Sequence, residues 1–218
     1  VEIGSGSSTS NYLPSYSYYK YELSQQLYTS AEIGPAGIIN SISFYNSGNE
    51  EERKYDLYLM NTNKTAFSSE NDWISVSNTN KVFSGTVTMT SNAWTTITLN
   101  TPFEYDGVSN LALIADDNTG SWTSSPHMSC QVFGSTSNCA LYIYSDNTNY
   151  SPSSPSSYTG TQSDEKNRIR LIVLHPETQI VPTYVNIGGQ TTVCPGASTT
   201  LTASSDVECT YTWSTGDL

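Results

Sequence analysis

Nucleophilic catalysis needs a base held beside the nucleophile, and the only histidines in this 218-residue chain are His127 and His175. His127 lies in the stretch SSPHMSC, next to Cys130. A cysteine–histidine pair can be drawn there, but Cys130 is more economically paired with Cys139. His175 sits in the proline-bearing linker. There is no Gly-rich phosphate loop, and the spacing of a zinc site is absent. Glycosidases need two carboxylates. The candidates are Asp116 and Asp117 in ADDNTGSW, the run Glu50, Glu51 and Glu52, and Asp146. The glutamate run follows NSGN and precedes an arginine and a lysine, so it reads as a solvated turn with local ion pairs. Asp116 and Asp117 close an apolar strand, where polar residues end burial and begin a turn. The expectation is a chain without a catalytic centre.

Binding chemistry is better represented. The DDNTG stretch offers the oxygen ligands that calcium prefers, though not at EF-hand spacing. Asp116, Asp117 and Asn118 are therefore the candidate ligands of a structural calcium ion, against the favoured reading of an ordinary turn. The stretch NYLPSYSYYKY places Tyr12, Tyr16, Tyr18, Tyr19 and Tyr21 within ten residues. A tyrosine has an apolar ring face and a polar tip, which suits stacking on a sugar ring or a partner surface. Tyr12, Tyr16, Tyr18 and Tyr19, with Trp122, are the candidate ligand-binding residues for a glycan or a protein. The competing reading is that the stretch wraps the fold and covers a core edge with some of its rings. Trp73 and Trp122 lie in polar loops, where a plug over one end of the fold is the preferred reading.

Composition narrows the partners. The net charge is −12, from 20 acidic and 8 basic residues, which disfavours nucleic acid and anionic membrane surfaces. No apolar run approaches the roughly 18–20 residues of a membrane span. Sixteen tyrosines argue against disorder. The low charged share of 13% leaves a surface built from hydroxyls and amides. The four cysteines fall into two close pairs, Cys130 with Cys139 and Cys194 with Cys209. That pattern leads us to expect two disulfides and an oxidising compartment, secreted or at the cell surface.

The elements that would carry these residues are strands. KVFSGTVTMT puts Phe83, Gly85, Val87 and Met89 on one face and Ser84, Thr86, Thr88 and Thr90 on the other. AWTTITLN follows after the turn SN, and the two read as a hairpin. INSISFY, KYDLYLM, ALYIYS and NRIRLIVL are similar, while NLALIA is apolar on both faces and reads as central. Nine or ten strands without crossover helices imply an all-β fold, an antiparallel two-sheet jelly-roll-like sandwich over residues 1–174. HPETQIVPT makes a stiff linker over 175–183. From 184 to 218 the order strand, Cys, strand, Cys, Trp strand suggests the first third of an immunoglobulin-like sandwich. With Leu201 facing inward and Trp213 close to Leu218, the expectation is a domain continued beyond this chain.

SYSYYKYELSQQLYTSAEIG, ISFYNSG, DLYLMNTNKTAFSSENDWISV, WTTITLNTPFEYDGVSNLALIADDNTGSW and LYIYSDNTNYSPSSP together resemble an adhesin-like β-sandwich module of secreted and surface proteins of Bacteroidetes-type bacteria. VCPGASTTLTAS and YTWSTG resemble the immunoglobulin-like repeats of the same group. The resemblance implies a non-catalytic adhesion or binding module of an exported multidomain protein. Two alternatives stand beside it. One is a spacer or filament subunit that self-associates through its C-terminal strands by β-strand complementation. The other is an ancillary domain of an exported hydrolase.

Overall fold

The computed structural model describes residues 1–134, 137–175 and 184–206. The chain divides into two units, Val1–Pro176 and Glu177–Leu218. In chain order the strands of the first unit are β1 (Glu2–Ile3), β2 (Thr9–Ser10), β3 (Tyr21–Tyr28), β4 (Gly37–Asn46), β5 (Glu51–Thr62), β6 (Lys81–Met89) and β7 (Ala93–Tyr105). They continue as β8 (Asn110–Asp117), β9 (Cys130–Gly134), β10 (Ala140–Ser145), β11 (Thr161–Ser163), β12 (Glu165–Asn167) and β13 (Ile169–Leu174). One short helix, α1 (Ser30–Ile33), follows β3. Thr29 and Glu32 close a reciprocal capping box at its start.

The strands form two antiparallel sheets, as the alternating sequence pattern implies. The seven-stranded sheet runs β1–β13–β4–β9–β12, with β7 pairing β4 and β2 pairing β9. The six-stranded sheet runs β11–β10–β3–β8–β5–β6. The fold is the expected all-β, jelly-roll-like sandwich. Its main core lies between the sheets, where Ile42, Phe44, Leu57, Leu59, Ile97 and Leu113 are buried together.

A second core lies on the other face of the six-stranded sheet. Leu23, Tyr58, Ala112 and Ile114 point outward there and pack with Phe67, Trp73, Ile74 and Val76 from the β5–β6 connection. Tyr150 and Tyr158 from the β10–β11 connection pack against the same cluster. This explains why NLALIA is apolar on both faces. Leu111, Leu113 and Ala115 belong to the inner core, and Ala112 and Ile114 belong to the outer one. Trp73 anchors a loop to this face, donating its indole N–H to the Tyr158 carbonyl at 2.9 Å.

Three local expectations are corrected. First, β6 and β7 are not a paired hairpin: β6 pairs β5 and β7 pairs β4. The turn at Asn92, whose φ is +51°, carries the chain from one sheet to the other. Val87 and Met89 on β6 and Ile97 and Leu99 on β7 therefore meet within one core. Second, Cys130 and Cys139 are free, buried thiols. β9 belongs to the seven-stranded sheet and β10 to the six-stranded one, so the GSTSN stretch does not set the two cysteines opposite each other in one ladder. Third, the glutamate run is not wholly a solvated turn. Glu51 and Arg53 point inward from β5, 7% and 1% exposed. Glu51 accepts the Met128 N–H at 3.0 Å.

In the second unit, β14 (Val185–Gly188) and β15 (Thr202–Ser205) form an antiparallel pair. Leu201 was expected to face inward but is 39% exposed. Cys194 is free and exposed. Cys209, Tyr211 and Trp213, and with them the Cys194–Cys209 pairing, lie outside the described residues.

Candidate functional site

The tyrosine-rich stretch preceding β3 lies against the inner-face side chains of β10. Tyr142 and Tyr144 point from β10 to the same side as Ser24 and Glu22 on β3, their register partners. Tyr12 stacks on Tyr142 with ring centroids 5.2 Å apart, and Tyr19 stacks on Tyr144 at 4.2 Å. Tyr16 fills the centre, edge-on to Tyr12 at 5.0 Å and to Tyr144 at 5.7 Å. His127 closes edge-on over Tyr16 and Tyr18, at 5.4 and 5.3 Å. Trp122 meets Tyr18 at 5.9 Å. The arrangement is a continuous cluster of eight rings. Offset and edge-on contacts at these separations are the favourable geometries for aromatic rings.

Every residue expected to bind ligand on this surface is in the cluster. Tyr12, Tyr18 and Trp122 are 40%, 43% and 53% exposed, whereas Tyr16 and Tyr19 are half-buried beneath them. The stretch thus meets both descriptions weighed from sequence, since some rings cover the core edge and others face solvent. Trp122 does not act as a plug. Burial pushes the Tyr142 phenol up to about 12, and burial also raises Tyr16 and Tyr144. These phenols are neutral at physiological pH and can both donate and accept hydrogen bonds.

A buried polar layer holds the rings in place. Arg53 forms an ion pair with Asp117 at 2.7 Å, and both are essentially inaccessible. Its remaining N–H groups donate to the carbonyls of Tyr19 at 3.0 Å and Ser121 at 3.2 Å. One guanidinium therefore fixes both segments that carry exposed rings. Backbone bonds from Gly120 to the Lys20 carbonyl and from Thr123 to the Ser17 carbonyl, each 2.9 Å, join the same segments. Glu22 accepts the Tyr16 backbone N–H at 2.5 Å. Its other oxygen is buried without a partner. Burial raises its carboxyl well above the usual range, aided by Asp117 and opposed by the Tyr16 N–H and by Arg53. Glu22 and Asp117 face each other across β3 and β8. Arg53 is committed to Asp117, and Glu22, desolvated and facing that second carboxylate, is the carboxyl that favours its proton. Sequence reading missed Arg53 and Glu22. The available signal was that Glu51, Arg53, Tyr55, Leu57 and Leu59 fall on one face of one strand.

The three calcium candidates do not converge. Asp117 points to the inner face and is committed to Arg53 and to the Thr119 N–H. Asp116 points to the outer face, opposite Asp56. Asn118 uses its amide oxygen to accept from Asn149 at 2.7 Å. Among the described residues no group of three or more His, Cys, Asp or Glu side chains is placed to hold a metal ion. The residues named for calcium do not fit it. The thiol of Cys130 is pushed up by burial, and Cys139 is raised to about 11 by the same cause. This is the reverse of an activated cysteine, and the ring of His127 is engaged with Tyr16 and Tyr18.

Fold and site together describe an antiparallel β-sandwich with a preorganised aromatic surface. No family model, curated protein or solved structure matches the chain.

Proposed function

We propose that this chain is a non-catalytic adhesion or binding module of an exported multidomain surface protein, and that the aromatic cluster contacts its ligand, a glycan or a protein. The observation that carries the reading is the exposure of Tyr12, Tyr18 and Trp122 on a cluster whose other rings are packed and clamped. Rings held in advance lose little conformational freedom on binding, which favours affinity. The hydroxyl- and amide-rich composition and the family resemblance support export. The free thiols of Cys130 and Cys139 lend it no support.

A glycan array and a panel of extracellular matrix proteins, each probed with the wild type and with the Tyr18→Ala/Trp122→Ala double variant, test the reading. At least one ligand should bind the wild type, and the variant should lose about tenfold or more in affinity, the equivalent of about 1.4 kcal/mol. Its melting temperature should be unchanged. Absence of binding on both panels would remove the proposal.

One observation favours a second reading, assembly through strand pairing. Val185, Ile187 and Leu201 in and beside the β14–β15 pair are 52%, 55% and 39% exposed. Apolar side chains on a small two-stranded sheet invite further strands. Light scattering across a concentration series tests this, and a strict monomer would sink it for this chain.

A further inference from the structure

The outer face of the six-stranded sheet is only partly covered by the second core. Beyond it lies an open cleft of about 430 Å³, lined by Tyr21, Lys54, Asp56, Ser84, Asp116 and their neighbours Asn118 and Asn149. The lining follows from strand register. Asp116 on β8 stands opposite Asp56 on β5, which stands opposite Ser84 on β6. Asp116 is 5% exposed, and its Oδ1 has no hydrogen-bond partner. A buried polar atom in that state is costly and calls for a missing donor. Asn149 donates to Asn118 and ties the β10–β11 connection to one wall. Asp56 is paired with Lys81 at 2.6 Å, while the Lys54 ammonium makes no ion pair among the described residues.

The charge pattern decides what such a cleft would hold. Asp56 is neutralised by Lys81 and burial raises the Asp116 carboxyl to about 7, so the exposed Lys54 stands as a single charge and no set of like charges gathers here for an ionic ligand. The described residues also lack a metal-holding group of acids. What remains is a dense set of donors and acceptors beside the Tyr21 ring. Carboxylate, amide, hydroxyl and ammonium groups of this kind suit the closely spaced hydroxyls of a sugar, and a tyrosine suits its apolar face.

We propose that this cleft is a second binding site, separate from the aromatic cluster, for a neutral hydroxyl-rich ligand, a sugar unit of an oligosaccharide, with Asp116 accepting from a ligand hydroxyl. The two sites lie on opposite faces of one sheet, Tyr144 and Glu22 inward, Tyr21 and Asp116 outward. Their functions are therefore separable by substitution.

The test is an amide-resolved NMR titration of the full chain with neutral hexoses, pentoses, N-acetylhexosamines and their oligomers at millimolar concentration, with calcium chloride as a parallel arm. At least one sugar should shift the amides of Tyr21, Asp116, Asn118 and Asn149. Asp116→Asn and Lys54→Met should each weaken that binding, by about tenfold for Asp116→Asn. Lys54 is exposed, so its variant keeps the test valid if Asp116→Asn perturbs the fold. Tyr18→Ala/Trp122→Ala should leave the response intact. Silence of the cleft amides toward every sugar, a response confined to the aromatic cluster, or a response to calcium alone would each overturn the proposal.

Discussion

The inward charges are the residues whose substitution reports most directly on the site. Arg53 is buried with Asp117 and holds two carbonyls besides. Removing one partner of such a pair leaves an uncompensated buried charge, which costs about 3–5 kcal/mol. Arg53→Met should therefore lower unfolding free energy by that amount in urea titrations. It should also broaden the NMR signals of Tyr19 and Trp122, because it frees the segments that carry them. Asp116 gives the opposite sign. Burial first, then the charges of Asp56 and Asp117, raise its carboxyl from 3.8 to about 7, with the Asn118 side chain and Lys81 opposing. Between about pH 4 and 7 the folded state keeps a proton that the unfolded chain has released, so this residue's contribution to stability falls as pH rises through that window. Asp116→Asn has no such proton. It should gain stability over the wild type between pH 4 and pH 8, by on the order of 4 kcal/mol at most, at about 1.4 kcal/mol per unit of displacement. Parallel melts at the two pH values check this, and a gap independent of pH would show Asp116 to titrate normally.

Among the elements, the instructive cases are those where adjacent strands do not pair. β6 and β7 have the alternation and the turn of a hairpin, yet they face each other across the core from separate sheets. A hairpin and such an arch have the same local pattern, because both bury every second residue. β9 and β10 repeat the lesson. Cys130 opens β9 in one sheet, Cys139 immediately precedes β10 of the other, and both are free. Native protein treated with a maleimide should accordingly leave Cys130 and Cys139 unlabelled, since both are fully buried. Unfolding without reductant should expose both thiols to the reagent. Peptide mapping that recovered Cys130 linked to Cys139 would contradict this.

For the whole molecule, the division at Pro176 and Glu177 makes the first unit a candidate for independent folding. At that length a chain buries about 70% of its unfolded surface, and both cores lie within it. A chain ending at Pro176 should be soluble and melt in one cooperative transition by circular dichroism. A broad, non-cooperative melt would place the boundary elsewhere. At this scale the contributions of sequence and tertiary structure separate. The sequence by itself determined the all-β class, the strand identities of the longer elements, the central place of NLALIA and the candidacy of Tyr12, Tyr16, Tyr18, Tyr19 and Trp122, because alternation and residue type are local properties. It did not determine that Tyr142 and Tyr144 join Tyr12, Tyr16 and Tyr19. It did not determine that Arg53 reaches Asp117, or that Asp116 and Asp117 part to opposite faces. Those facts depend on which strands become neighbours. Pairing is set by burying both faces of the six-stranded sheet at once, which sums contacts over residues far apart in the chain and leaves no mark in any short window of it.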